Sequence, residues 1–136
     1  MRYSSNVEIP GLRIDAGLEG LPWQHTRHEG VQWIDLAGSE DESSMTVLIR
    51  MAPGRGYPAH RHLGAEDVLV LSGGYRDADG FELAAGGFHR YPAGSVHAPV
   101  ALGDAAQPEG AANRACVLFA VAHRGTELVA EEEAAR

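Results

Sequence analysis

Glycine and proline recur between short apolar runs along this chain, and that punctuation restricts it to folds built from short strands. Seventeen glycines and seven prolines interrupt the sequence, and no apolar period of helical length survives before the C-terminal tail. Strands are expected over residues 30–36, 45–51, 60–62, 67–72, 81–83, 87–91, 95–100 and 114–123, at the spacing of a sandwich or barrel. The fold class is therefore all-β, and 136 residues make one small domain. Residues 1–28 contain Ile9, Leu12, Ile14, Leu18, Leu21 and Trp23 without clear periodicity. They are expected to form an N-terminal arm, packed on the barrel (29–125) or on a neighbouring subunit. Residues 126–136 form an acidic tail that either makes a short helix with Thr126 as N-cap or frays, its carboxylates meeting water. Residues 102–113, rich in glycine, alanine and polar side chains, read as a mobile loop.

Charge excludes two classes of partner. The chain has 11 basic residues, all arginine, against 19 acidic ones, for a net charge of -8. Phosphate binding needs a basic face, so no nucleic acid and no anionic membrane surface is expected to bind. The longest apolar runs, 117–122 and 68–71, fall far short of the roughly 20 residues that span a bilayer. The start, Met1-Arg2-Tyr3-Ser4-Ser5-Asn6, lacks the apolar stretch of a secretory signal. A cytoplasmic location is expected. The single cysteine, Cys116, excludes an internal disulfide framework and a cysteine-rich zinc site. Set within Ala115-Cys116-Val117-Leu118-Phe119, it reads as a buried thiol.

The placement of the histidines carries the chemistry. His60 and His62 flank Arg61, and alternate residues of a strand share a face, so both imidazoles can converge on one ion. Glu66 follows after Leu63-Gly64-Ala65, a stretch able to turn the chain, and His97 follows the turn Pro92-Ala93-Gly94. Three histidines and a glutamate make a nitrogen and oxygen donor set suited to iron(II), zinc, manganese or nickel, and poorly suited to calcium. Glu66 either ligates the metal or holds a metal-bound water, and it is also the acid or base candidate of the site. Gly54, Gly73, Gly86 and Gly94 read as turn residues with positive φ. His25 and His28 read as ordinary exposed histidines, and His123 as a rim residue. Of His89 and Arg90, one faces inward and not both; an inward Arg90 would bind an anion. Tyr57 and Tyr75 either reach the pocket as hydrogen-bond donors or simply pack.

The spacing itself resembles a known pattern. Gly54, His60, His62, Glu66 and Gly73 match the first cupin motif, and Gly86, Pro92, Gly94 and His97 match the second. The asparagine that often closes the second motif is replaced by Ala101. The resemblance to the cupin superfamily implies a small antiparallel double-stranded β-helix, or jelly roll, with one divalent transition metal in its mouth held by His60, His62, Glu66 and His97. A narrower similarity lies in Ala52-Pro53-Gly54, in Glu66-Asp67-Val68-Leu69-Val70-Leu71-Ser72-Gly73, in Asp77-Ala78-Asp79-Gly80 and in Pro92 through Pro99. These segments are similar to the ChrR-like cupin group. That group includes the C-terminal domain of ChrR-type anti-sigma factors and dioxygenases that cleave acetylacetone or dihydroxyacetophenone. The separate helical zinc domain that binds sigma factors has no counterpart here, so sigma binding is not carried over.

Met45, Val47, Ile49, Val68, Val70, Phe88, Phe119 and Val121 populate the strands that would enclose a cavity, half of each strand facing inward. An apolar cavity favours a small, largely apolar carbonyl substrate. Two functions stay open: an iron(II)-dependent dioxygenase-like enzyme, and a zinc-binding sensor or ligand-binding module without catalysis. Isomerase or decarboxylase chemistry would draw on Glu66, His89, Tyr57 or Tyr75. A homodimer is expected, paired through sheet edges and through the arm with Trp23 and Trp33.

Overall fold

The computed structural model of the protein describes Ile9 and residues 17–38 and 44–135. A 3-10 turn, Gly17–Gly20, precedes β1 (Gln24–His25), β2 (Val31–Gly38), β3 (Met45–Met51), β4 (His60–His62), β5 (Glu66–Ser72) and β6 (Gly74–Arg76). There follow β7 (Glu82–Ala84), β8 (Phe88–Tyr91), β9 (Val96–His97), β10 (Val100–Ala101), β11 (Cys116–Ala122), β12 (Thr126–Leu128) and one turn of helix, α1 (Glu131–Ala134). A six-stranded antiparallel sheet in the order β1-β2-β3-β11-β5-β8 faces two three-stranded sheets, β10-β6-β7 and β12-β4-β9. The all-β class expected from the punctuation and the jelly-roll barrel that the cupin resemblance implies are both observed.

Strict alternation decides what the barrel encloses. β3 turns Met45, Val47, Ile49 and Met51 inward, and their partners across β11 are Ala122, Ala120, Leu118 and Cys116. β5 continues these rows with Glu66 opposite Ala122, Val68 opposite Ala120 and Val70 opposite Leu118. The core gathers Val47, Met51, Val68, Val70, Tyr75, Tyr91, Cys116, Leu118 and Ala120, each large side chain worth about 1.5–3 kcal/mol of burial. Near the Glu66 end the rows contain only alanines from β11, so space is left where larger residues would fill the barrel. Cys116 is fully buried, as expected, and burial pushes its thiol up to about 12.

Several local expectations are corrected. Phe119 and Val121 alternate with Leu118, Ala120 and Ala122, so the latter three face inward and the former outward. Phe88, 61% exposed, also lies outside. The 95–100 strand divides at Pro99, which has no N–H to give a ladder; its carbonyl instead accepts from Tyr57 N at 3.0 Å. β6, absent from the expected strands, follows directly on the turn at Gly73. Gly73 has φ +71, and a Cβ there would run into the Ala115 carbonyl, so the backbone passes too close for any other residue.

Residues 102–113, expected to be mobile, are pinned from within. Asn113 Oδ1 accepts from Asp104 N at 2.9 Å, while its Nδ2 donates to the carbonyls of Asp104, Gln107 and Pro108. Glu109 of the same loop pairs with Arg50, which also meets Glu19 of the arm at 3.2 Å. Leu18 of that arm is buried, and Trp23 Nε1 donates to its carbonyl at 2.8 Å.

The tail differs as well. Thr126 caps no helix: Thr126, Glu127 and Leu128 pair with His62, Arg61 and His60. β4 would otherwise present an open edge, and ladder bonds satisfy it. Helix α1 begins only after Ala130, with no side-chain cap. Its carboxylates do more than meet water. Glu131 accepts from Ala59 N at 3.2 Å, and Glu133 pairs with Arg61 at 2.6 Å. Among the described residues no helix is long and apolar enough to cross a membrane.

Candidate metal centre

β4 supplies two imidazoles on one face, His60 and His62, with Arg61 turned out to Glu127 and Glu133. β9 lies antiparallel to β4 with His97 directly opposite His60. The turn before β9 sets that register: Gly94, at φ +89, donates to the His62 carbonyl at 2.7 Å, and His62 N donates to Ser95 O at 2.9 Å. Gly54, Gly73 and Gly86 share the positive φ expected of all four motif glycines. Glu66 opens β5 and points along the inward row. His60, His62, Glu66 and His97 thus each offer one ligand atom, all within 4.8 Å of one another, a cluster that could hold one metal ion.

Each imidazole is oriented by its other nitrogen. His60 Nδ1 lies 2.8 Å from the Pro58 carbonyl, which can only accept. Ser95 Oγ donates to Pro92 O at 2.6 Å and therefore accepts from His62 Nδ1 at 3.1 Å. His97 Nδ1 lies 2.8 Å from Asp77 Oδ1. These partners assign the proton to Nδ1 in all three rings and leave Nε2 as a lone pair. His62 Nε2 and His97 Nε2 are fully buried without a hydrogen bond. Glu66 Oε1 stands 2.8 Å from His62 Nε2 without hydrogen-bond geometry. Buried lone pairs facing a carboxylate repel unless a cation lies among them, so the donor set fits a divalent metal. Burial, and next the neighbouring His97, push His60 down to about 4, so it is a neutral ligand near pH 7.

A cavity of about 230 Å³ reaches His60, Glu66 and His97. Trp33, Met45, Val47, Ile49, Val68 and Leu118 line it, and Tyr57 adds a phenol beside His60, ring centroids 5.1 Å apart. The apolar character follows the sequence expectation, although Leu118 rather than Phe119 supplies the β11 side. Tyr75 also lines the cavity. Arg90 faces solvent and pairs with Asp67 at 2.6 Å, so it binds no anion in the pocket, while His89 lies tilted against Phe81 and meets Tyr91 edge-on. His28 is not isolated on the arm: its ring meets Tyr57 at 4.9 Å. His123, half exposed, contacts Asp67 on the rim. Asp77, Tyr91 and Ser95 were not singled out for a role. A fully buried aspartate is rare unless paired, and Tyr75 and Asp77 alternate inward about the exposed Arg76. That parity was the available signal.

The fold and the donor set define the class, a cupin barrel with a His-His-Glu-His cluster in its interior. A family model described as the ChrR cupin-like domain matches residues 14–107, and the chain belongs to that family. No curated protein sequence matches it. Among solved structures, the complex of Rhodobacter sphaeroides SigE with the anti-sigma ChrR is 29% identical with a TM-score of 0.59, covering 77% of this chain and 50% of that one. The chain therefore spans half the length of that relative. A putative acetylacetone dioxygenase from Methylibium petroleiphilum PM1 shares the fold at a TM-score of 0.68 and 16% identity, covering 97% of this chain and 88% of its own. An acetylacetone dioxygenase from Acinetobacter johnsonii does so at 0.65 and 13%, covering 98% and 87%.

Proposed function

We propose that the protein is a mononuclear metalloenzyme, an iron(II)-dependent dioxygenase-like cupin acting on a small, largely apolar carbonyl compound. The observation that carries this reading is the opening of the His60, His62, Glu66 and His97 cluster directly into an apolar cavity of about 230 Å³. That space suits a few carbon atoms and leaves little room for a sugar with its water. His60, His62 and His97 present neutral nitrogen lone pairs, and Glu66 adds a carboxylate, either as fourth ligand or as the group holding a bound water. Bound iron(II) would supply Lewis acidity and the redox chemistry of dioxygen. Trp33, Met45, Ile49 and Leu118 exclude water and orient the hydrocarbon part of the substrate. Tyr57 keeps its phenol proton, because burial and then the Glu66 charge raise it, and it donates to a substrate oxygen. Four protein ligands leave two positions free on an octahedral ion, enough for a chelating substrate.

The likeness to the ChrR complex favours a second reading, a zinc-binding sensor or ligand-binding module. On tetrahedral zinc the same four ligands close the site. The deciding experiment is metal analysis of protein purified without added metal or chelator, followed by anaerobic iron(II) reconstitution and oxygen uptake with acetylacetone or a hydroxyacetophenone. Uptake that requires both iron and substrate supports the enzyme. Tight zinc with no uptake after reconstitution overturns it in favour of the sensor. A cytoplasmic homodimer completes the proposal. Trp33 is turned to the cavity and Trp23 is tied to Leu18; the pairing surface we propose is instead Phe88 with Leu69, two of the exposed large hydrophobics and cross-strand neighbours at the edge of the six-stranded sheet.

A further inference from the structure

One histidine of the cluster has a support unlike the other two. Pro58 O and Ser95 Oγ, both neutral, hold His60 and His62. His97 meets a carboxylate, Asp77, only 4% exposed and 20 positions away in sequence. The other oxygen of that carboxylate, Oδ2, accepts from Tyr91 Oη at 2.7 Å. Tyr91 Oη lies 2.6 Å from Tyr75 Oη. Because the Tyr91 proton is committed to Asp77, Tyr75 donates to Tyr91. The chain of bonds then has one direction, from Tyr75 to Tyr91 to Asp77, with His97 donating into the same carboxylate from the other side. No arginine or lysine pairs with Asp77 among the described contacts, so its charge is balanced only by these two donors and by what His97 binds.

Resting on the metal-site reading above, we infer that Asp77 is a positioning residue that fixes the Nδ1–H tautomer of His97, and that Tyr91 and Tyr75 hold Asp77 to that task. The metal affinity of the centre then depends on two tyrosine hydroxyls that ligate nothing. An ionised acceptor strengthens the ligand nitrogen more than a carbonyl or hydroxyl does, and such partners typically change metal affinity 10- to 100-fold. The order of effects follows the order of bonds: Asp77 first, then Tyr91, then Tyr75, with Ser95 at His62 a weaker, neutral comparison.

The test uses two readouts on the full chain. Proton–nitrogen multiple-bond correlation spectra of metal-free protein report the tautomer of His97, and titration with cobalt(II) alone, followed by its visible absorption, reports affinity. The wild type is expected to show His97 protonated at Nδ1 and to bind one cobalt(II). Asp77→Asn is expected to shift His97 toward the Nε2–H form and to weaken cobalt(II) about 10- to 100-fold. Tyr91→Phe should weaken it less, and Tyr75→Phe and Ser95→Ala least. If Asp77→Asn does not fold, the two tyrosine variants carry the test, because each removes only one hydroxyl from the relay. A wild type that binds no cobalt(II) overturns the metal-site reading and this inference with it. A wild type that binds cobalt(II) while Asp77→Asn and Tyr91→Phe leave affinity and tautomer unchanged overturns the inference alone, as does a His97 found in the Nε2–H form.

Discussion

The two faces of the six-stranded sheet are built from the same strands and do opposite things. Along β3, β11 and β5 the inner face carries Met45, Val47, Ile49, Leu118, Val68 and, at its end, Glu66. The outer face of the same residues' neighbours carries Leu48, Phe119 and Leu69 in one cross-strand row that ends in Phe88, and Asp67 with Arg90 in another. Inside, alternation leaves a hole beside the His-His-Glu-His cluster; outside, the apolar row runs from the buried Leu48 to the exposed Phe88, next to the Asp67–Arg90 ion pair. A single-residue slip in β5 would exchange Glu66 for Asp67 and put the wrong carboxylate into the barrel.

That contrast can be broken at several strengths. His62→Ala, in the fully buried ring on β4, is expected to abolish stoichiometric metal, measured by metal analysis after dialysis; full retention would refute the assigned ligand set. Leu118→Ala on the inner face is expected to lower stability by about 2–4 kcal/mol in denaturant unfolding, since it removes side-chain volume next to an existing cavity. The pH dependence of the two faces should separate. His60 is held down to about 4, by burial first, against its usual 6.5. The unfolded chain therefore takes up a proton that the folded one refuses. Stability of metal-free protein should fall as pH drops from about 6.5 towards 4, by at most about 1.4 kcal/mol per pH unit for this group. Asp67, lowered to about 2 by its contact with Arg90, acts in the same direction but in a lower pH window. Its contribution is fully present above its ordinary value of 3.8 and is lost only as pH falls through about 2. Arg90→Ala should flatten the acid limb without touching the limb above pH 4. Smallest of all, Phe88→Ser should change monomer stability by less than about 0.5 kcal/mol. Its effect belongs to the proposed assembly: sedimentation should show a wild-type dimer and a Phe88→Ser monomer, an unchanged dimer would place the interface elsewhere, and a monomeric wild type would overturn the homodimer.

The cluster of candidate ligands was legible because the relations that bring its members together are short. His60 and His62 share a face by period two, Glu66 is four positions on, and the glycines at 54, 73, 86 and 94 mark turns by the φ they need. The support of His97 was hidden for the converse reason. Asp77 meets His97 across 20 residues and Tyr91 across 14, through strands whose pairing no local pattern fixes. β12 escaped in the same way: Thr126-Glu127-Leu128 suits a helix start by local propensity, but the open edge of β4 decides otherwise. Proline and glycine marked breaks correctly; at Gly73 the positive φ was legible, while the close approach of the Ala115 carbonyl was not.

The pairing of β12 with β4 has a consequence for the order of assembly. The strand that holds His60 and His62 joins β9 on one side and residues 126–128 on the other, so its ladder closes only once nearly all of the chain described here has been synthesised. Its partners in β12 lie 64–68 positions away, no further than the 65–77 that separate β3 from β11, so loop closure delays both pairings alike. The six-stranded sheet and the mouth of the barrel therefore close in one late step. A metal ion would then meet His60 and His62 side by side only when the shell around them is complete.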